Sequence, residues 1–177
     1  MLGTDLEACA PGDGVVQPNP SACQQKDLQS RPRLDKWAFG LEDDRKWNVF
    51  RQYGGSWRWQ GILRDLPRGK PAELLKAFAE GGGSLDRNAV YRLWRHTYSA
   101  GDTHKILRTA KTTMNTLRKV IRKAIGIAEN DKSMNPIPSD KRGGWQGTIQ
   151  IGYAVKGDPQ AAGGESRLQF RTREQLT

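Results

Sequence analysis

One stretch constrains the fold more than any other: Lys105 to Lys123, KILRTAKTTMNTLRKVIRK. Wound at about 3.6 residues per turn, it places Leu107, Ala110, Met114, Leu117, Ile121, Ala124 and Ile125 in one apolar arc about 100° wide, the width of a core-facing helix. The opposite face carries Lys105, Arg108, Lys111, Arg118, Lys119, Arg122 and Lys123, interleaved with Thr112 and Asn115, and the stretch holds no acidic residue. Solvated helices ordinarily mix both signs. Single-sign charge with short hydrogen-bonding side chains between the long ones suits a duplex groove, where Lys and Arg neutralise phosphates while Asn and Thr reach base edges. The plainer alternative is an amphipathic helix whose Lys and Arg serve as good helix formers and cover apolar surface with their stems.

Charge favours the first reading. The chain carries 29 Lys and Arg against 19 Asp and Glu, a net charge of +10, with a pI of about 9.9. Such a balance attracts polyanions, DNA or RNA first and an anionic membrane surface second. No apolar run approaches the roughly 18 residues of a transmembrane helix, and the N-terminus lacks a secretory signal, so a cytoplasmic protein without a membrane partner is expected. Nucleophile-elbow, phosphate-loop and zinc-protease motifs are missing from the sequence, which disfavours an enzyme. Cys9 and Cys23 fit neither a zinc site nor a disulfide framework, and His96 and His104 have no further ligands spaced around them. No catalytic residue, metal or cofactor is expected.

Residues 1–34 carry Pro11, Pro18, Pro20 and Pro32 among Gly, Gln, Asn and Ser, with no sustained apolar period. They read as a disordered leader, because they cannot bury enough surface to offset ordering entropy. Between 35 and 65 the runs KWAFGL, KWNVFRQY and SWRWQGIL, separated by Glu42-Asp43-Asp44 and Gly54-Gly55, read as three antiparallel strands. Trp37, Trp47, Trp57 and Trp59 are expected to form one bulky face for helices. An aromatic sheet also stacks single-stranded bases, which keeps RNA or single-strand binding as an alternative. Three helices should follow. The first spans Lys70 to Glu80, with Pro71 in its first turn and Gly81-Gly82-Gly83 beyond it; the second runs from the N-cap Asp86 to about Tyr98; the third is the basic one, fading at Gly126. Asn135 to Val155 then reads as a hairpin with Lys141-Arg142-Gly143-Gly144 at its tip and Ile149, Ile151 and Tyr153 alternating along its second arm. Residues 158–177 read as a disordered tail, in which RLQFRTR offers a short strand that nothing anchors.

Sheet, three helices and a terminal hairpin, in that order, resemble the OmpR/PhoB-type winged-helix DNA-binding domain. Residues Arg108 to Ile121, RTAKTTMNTLRKVI, are similar to that family's recognition helix, which reads R-T-V-x-x-x-I-x-x-L-R-K-x-L; weaker likeness covers Leu66 to Trp94. The resemblance implies an α+β winged helix-turn-helix over 66–157, behind a small N-terminal antiparallel sheet and ending in a β-hairpin wing at Ile137 to Val155. It implies a helix in the major groove of double-stranded DNA, with Lys111, Thr112, Asn115, Thr116 and Arg118 at or near the bases and Lys141 and Arg142 on a neighbouring backbone or minor groove. Arg108, Lys119 and Arg122 complete the expected DNA-binding set, and Trp145 is expected to pack. Two departures stand out. Asn115-Thr116 replaces the family's arginine pair, and the link between the second and third helices lacks the acidic character of the family's transactivation loop, which argues against an RNA polymerase contact. The 34 residues ahead of the sheet are too few for a receiver domain, so none is expected among them.

The expected function is thus sequence-dependent duplex binding by a transcriptional regulator, dimeric or in tandem on its site because one module buries little surface. Two alternatives remain: the single-strand module already named, and a winged-helix scaffold whose basic face meets an acidic protein.

Overall fold

The computed structural model describes residues 32–157 and 168–177. Within them, the aromatic segments form the expected hairpins: β1 (Trp37–Glu42), β2 (Lys46–Tyr53) and β3 (Ser56–Ile62) pair antiparallel in sequence order. The β1–β2 turn passes through Asp43 (φ 50°) and Asp44 (φ 62°), and the β2–β3 turn through Gly54 (φ 54°) and Gly55 (φ 84°). Hairpin loops this tight, of three residues between β1 and β2 and two between β2 and β3, use the left-handed backbone that glycine adopts freely and Asp tolerates. The expected leader lies outside the described residues save its last three, as do Cys9 and Cys23; Leu34 is already buried, in a 3-10 turn (Leu34–Lys36).

The helices form where their punctuation places them. α1 (Lys70–Glu80) starts beside Pro71 and stops at the glycine run, where Gly83 N–H returns to Phe78 O at 2.8 Å. α2 (Arg87–Trp94) is capped by Asp86, whose Oδ1 accepts from Ala89 N at 2.6 Å, and it ends at Trp94 rather than near Tyr98. The Trp94 indole N–H donates to Glu73 at 2.9 Å, tying α2 to α1. α3 (Thr103–Ala124) is the basic helix. Among the described residues no helix is long and apolar enough to cross a membrane.

The C-terminal part departs from the sequence reading. A short hairpin does form, held by Gln146 N–H to Pro138 O at 3.1 Å and Thr148 N–H to Pro136 O at 2.8 Å. Its returning arm, β5 (Trp145–Gln146), pairs antiparallel with β4 (Ser84–Leu85), the segment between α1 and α2. The chain then leaves it. β6 (Gln150–Lys156), expected as the wing's second arm, lies parallel to β1 in the N-terminal sheet, with Gly40 opposite Gly152. β7 (Leu168–Arg171), expected as tail, pairs antiparallel with β6. Over the described residues the protein is therefore α+β, with three α-helices and a five-stranded sheet of order β3-β2-β1-β6-β7, not a sheet confined to 35–65.

The physical reason is that both sheet faces are covered. Phe39, Leu41, Trp47, Val49, Ile149 and Ile151 bury against the helices, so the alternation in β6 serves a sheet face rather than a wing. The other face holds Ala38, Phe50, Ala154 and Phe170, with Trp57 and Leu168 against them. The Phe170 ring lies 5.9 Å from Phe50 and 5.3 Å from Trp57, so the RLQFRTR patch is anchored after all. Gly152 makes room for it: a Cβ there would stand 2.4 Å from Arg171 O. The tryptophans consequently do not share one face. Trp47 is buried and Trp37 packs on the helix side, Trp57 packs on Phe170, and Trp59 stays 50% exposed.

Trp59 is nevertheless held. Its indole N–H donates to Asn48 Oδ1 at 2.9 Å, and the fully buried Asn48 amide donates to Glu42 Oε2 at 3.0 Å. The Asn48 hydrogen bond is the largest influence on the Glu42 carboxyl, holding it below the usual carboxylate range against a smaller opposing effect of burial. A depressed folded-state pKa gives stability that is present above the ordinary value and is lost as pH falls through the lowered one. Acid titration monitored by tryptophan fluorescence should therefore show Glu42→Gln unfolding with a weaker pH dependence below the carboxylate range than the parent. In urea unfolding, Phe170→Ala should cost about 3 kcal/mol, the large-to-small price of a packed aromatic; a true tail would show no change.

Candidate nucleic-acid interface

α3 is seated by Ile106, Ala110, Met114, Leu117 and Ile121, each at most 5% exposed, with Thr113 beside them. Leu107, expected in that arc, is only half-buried because Ile106 takes the central position. On the far side Lys105, Arg108, Lys111, Thr112, Asn115, Lys119 and Lys123 are exposed, and Thr116 is half-buried. Lys105 meets Asp102 at 3.2 Å, and Lys123 meets Asp65 at 2.9 Å, which raises the Lys123 pKa. Arg108, Lys111 and Lys119 have no ion pair among the described residues. Thr112 and Thr116 donate their hydroxyls to Arg108 O and Thr112 O, at 3.1 and 3.3 Å, leaving the oxygens as acceptors toward solvent.

Arg118 and Arg122 do not belong to this free face, which corrects the sequence reading. Arg118 donates through Nε and Nη2 to Ile137 O, at 2.9 and 2.6 Å, and through Nη1 to Asn115 Oδ1 at 2.9 Å. Arg122 is 6% exposed and donates to Met134 O at 2.8 Å and Glu129 O at 3.0 Å. Burial first, and the neighbouring Arg122 charge second, hold the Arg118 pKa below its ordinary value. At about 100° per residue these two positions border the apolar arc, where the returning segment crosses the helix. Apart from Asn115 Oδ1, their acceptors are backbone carbonyls, which no side-chain pattern announces.

The two arginines thereby fasten residues 129–137 to α3 and set where the following hairpin begins. Its tip is a closed turn. Asp140 Oδ1 accepts from Arg142 N at 2.8 Å and Gly144 N at 2.7 Å, with Gly143 at φ 80°. Lys141 and Arg142 are exposed there, and Trp145 packs at 4% exposure. The α2–α3 link is fixed by residues that sequence reasoning passed over. Lys70 Nζ donates to Tyr98 Oη at 2.7 Å, and that hydroxyl bonds Thr109 Oγ1 at 2.9 Å. The Lys70 hydrogen bond, then that of Thr109, lower the Tyr98 pKa.

Chemically, the surface offers three uncompensated cations, an amide whose oxygen is engaged by Arg118 and whose N–H groups remain, and two basic side chains on a turn. Among the described residues no three His, Cys, Asp or Glu side chains gather as a metal site; His96 and His104 are exposed. Comparison with protein-family models, curated proteins and solved structures finds no match in any of the three. The function of this surface rests on its chemistry.

Arg122→Ala should lower unfolding free energy in urea by about 2–3 kcal/mol, since charge-assisted hydrogen bonds to buried carbonyls are lost. Arg122→Lys should recover little, because a point ammonium cannot bridge both carbonyls.

Proposed function

We propose that the chain is a winged helix-turn-helix protein that binds double-stranded DNA in a sequence-dependent way, as a transcriptional regulator. The observation that carries this reading is the exposed, single-sign face of α3, with Arg108, Lys111 and Lys119 unpaired around Thr112 and Asn115. On this reading residues 108–121 act as the recognition helix they resemble in OmpR/PhoB-type domains. Arg108, Lys111 and Lys119 neutralise phosphates, Asn115, Thr112 and Thr116 meet base edges, and Lys141 and Arg142 touch a neighbouring backbone. Arg118 and Arg122 act indirectly, by holding the wing. The order helix, short strand, helix, helix, hairpin, with β4 paired to β5, supports a wing beside α3. A module of this kind buries only about 600–1,000 Å² of protein surface on DNA, so two copies, dimeric or in tandem, would share a specific site.

Single-strand binding by the sheet is the weaker reading. With Trp47 buried and Trp57 packed on Phe170, Trp59 alone keeps an indole half exposed on the second face, short of a stacking platform.

Fluorescence anisotropy of the full chain on a random 30-bp duplex and its single strand, across a salt series, tests the proposal. Duplex binding should be tighter and fall with a log–log slope of about −5 to −7, as for five to eight neutralised phosphates. Lys111→Gln and Lys119→Gln should each reduce that slope by about one on every sequence, whereas Asn115→Ala should cost about 1–3 kcal/mol on a selected site and little on random DNA. Equal or better single-strand binding, or loss of all binding at moderate salt in parent and variants alike, would overturn it.

A further inference from the structure

The β2–β3 hairpin carries a charge arrangement that its own packing leaves uncompensated. Between Arg45 and Arg64 the sequence has five basic residues and no acidic one. Arg51 and Arg58 are direct cross-strand partners, both exposed, and neither has an ion pair among the described residues. Like charges placed directly opposite are destabilising, and here only aromatic faces offset them. The Arg51 guanidinium lies 5.3 Å from the Trp37 ring centroid and 5.0 Å from that of Tyr53, and Arg58 lies 5.3 Å from Tyr53. The rings orient the two guanidiniums without consuming their in-plane N–H donors, so both remain free to bond an anion.

The ladder Trp37–Arg51–Tyr53–Arg58 is connected to α3. A cavity of about 430 Å³ is lined by Trp37 and Val49 of the sheet, by Arg64 and Asp65 beyond β3, and by Val120, Lys123 and Ala124 of the helix. Trp37, over whose ring Arg51 stands, thus lines the same cavity as the C-terminal end of α3, where Lys123 is paired with Asp65.

We propose that Arg51 and Arg58 form a second phosphodiester-binding site, which grips the backbone of the duplex flanking the segment read by α3. The inference rests on the duplex-binding reading above. Backbone rather than bases is the occupant, because guanidiniums already stand over the Trp37 and Tyr53 rings on which bases would stack. A single anionic strand threads between two guanidiniums and relieves their mutual repulsion; a free phosphate or an acidic peptide would do so without the continuity toward α3.

The test compares parent, Arg51→Gln/Arg58→Gln and Lys111→Gln/Lys119→Gln full-length chains on the 30-bp duplex and on its single strand, across the salt series, with thermal midpoints recorded. The Arg51→Gln/Arg58→Gln variant should lose about two units of salt slope, about 0.9 per phosphate, and about tenfold in duplex affinity at low salt. Its thermal midpoint should be unchanged or higher, because repulsion is removed; a purely structural role for the arginines would lower the midpoint and leave the slope alone. An unchanged slope in this variant, beside a reduced one in Lys111→Gln/Lys119→Gln, would overturn the second site while leaving duplex reading by α3 intact. Loss falling mainly on the single strand would overturn the choice of duplex backbone. Failure of the parent itself to prefer duplex would remove both proposals together.

Discussion

The guanidiniums of Arg118 and Arg122 decide where the second half of the chain can go. A buried cation is costly unless its donors are satisfied, and the acceptors within reach are the carbonyls of Glu129, Met134 and Ile137. Once these bonds form, the backbone after α3 must cross the helix flank, turn at Asp140 and return as β5 beside β4. That return delivers Ile149 and Ile151 to the sheet, where β6 takes its place parallel to β1. The hairpin and the sheet pairing are thus successive consequences of one anchored crossing.

The same anchoring divides the charge of α3 into two kinds. Arg118 and Arg122 spend their donors inside the protein, whereas Arg108, Lys111 and Lys119 keep theirs for solvent. A helix can therefore read as uniformly basic and still present only part of that charge to a partner. The division places Arg118 between the two roles: its third donor holds Asn115 Oδ1, so it couples the position of the hairpin to the orientation of the one amide on the exposed face. Tyr98, gripped between Lys70 and Thr109, does the corresponding work at the other end of the helix.

The sheet shows why its second face was hard to foresee. Leu168 and Phe170 alternate with Gln169 and Arg171 over too few residues to announce a strand, yet Phe50 and Trp57 receive Phe170 because Gly40, Gly152, Ala38 and Ala154 keep that face thin. The tryptophans divide between faces for the same reason. Either face of an aromatic strand can be buried once both are covered, so composition could not say which indole would remain exposed.

What the sequence determined by itself is local. The span of α1, the Asp86 cap of α2, the extent of α3 and the two hairpins of β1 to β3 follow from apolar period, glycine, proline and capping residues within a few positions of one another. The tertiary structure alone decided the parallel β1–β6 pairing, the incorporation of β7, the two faces of the tryptophans and the inward turn of Arg118 and Arg122. Each depends on partners far along the chain, on backbone carbonyls or small residues that give no local periodic signal, and becomes visible only when folding brings them into contact.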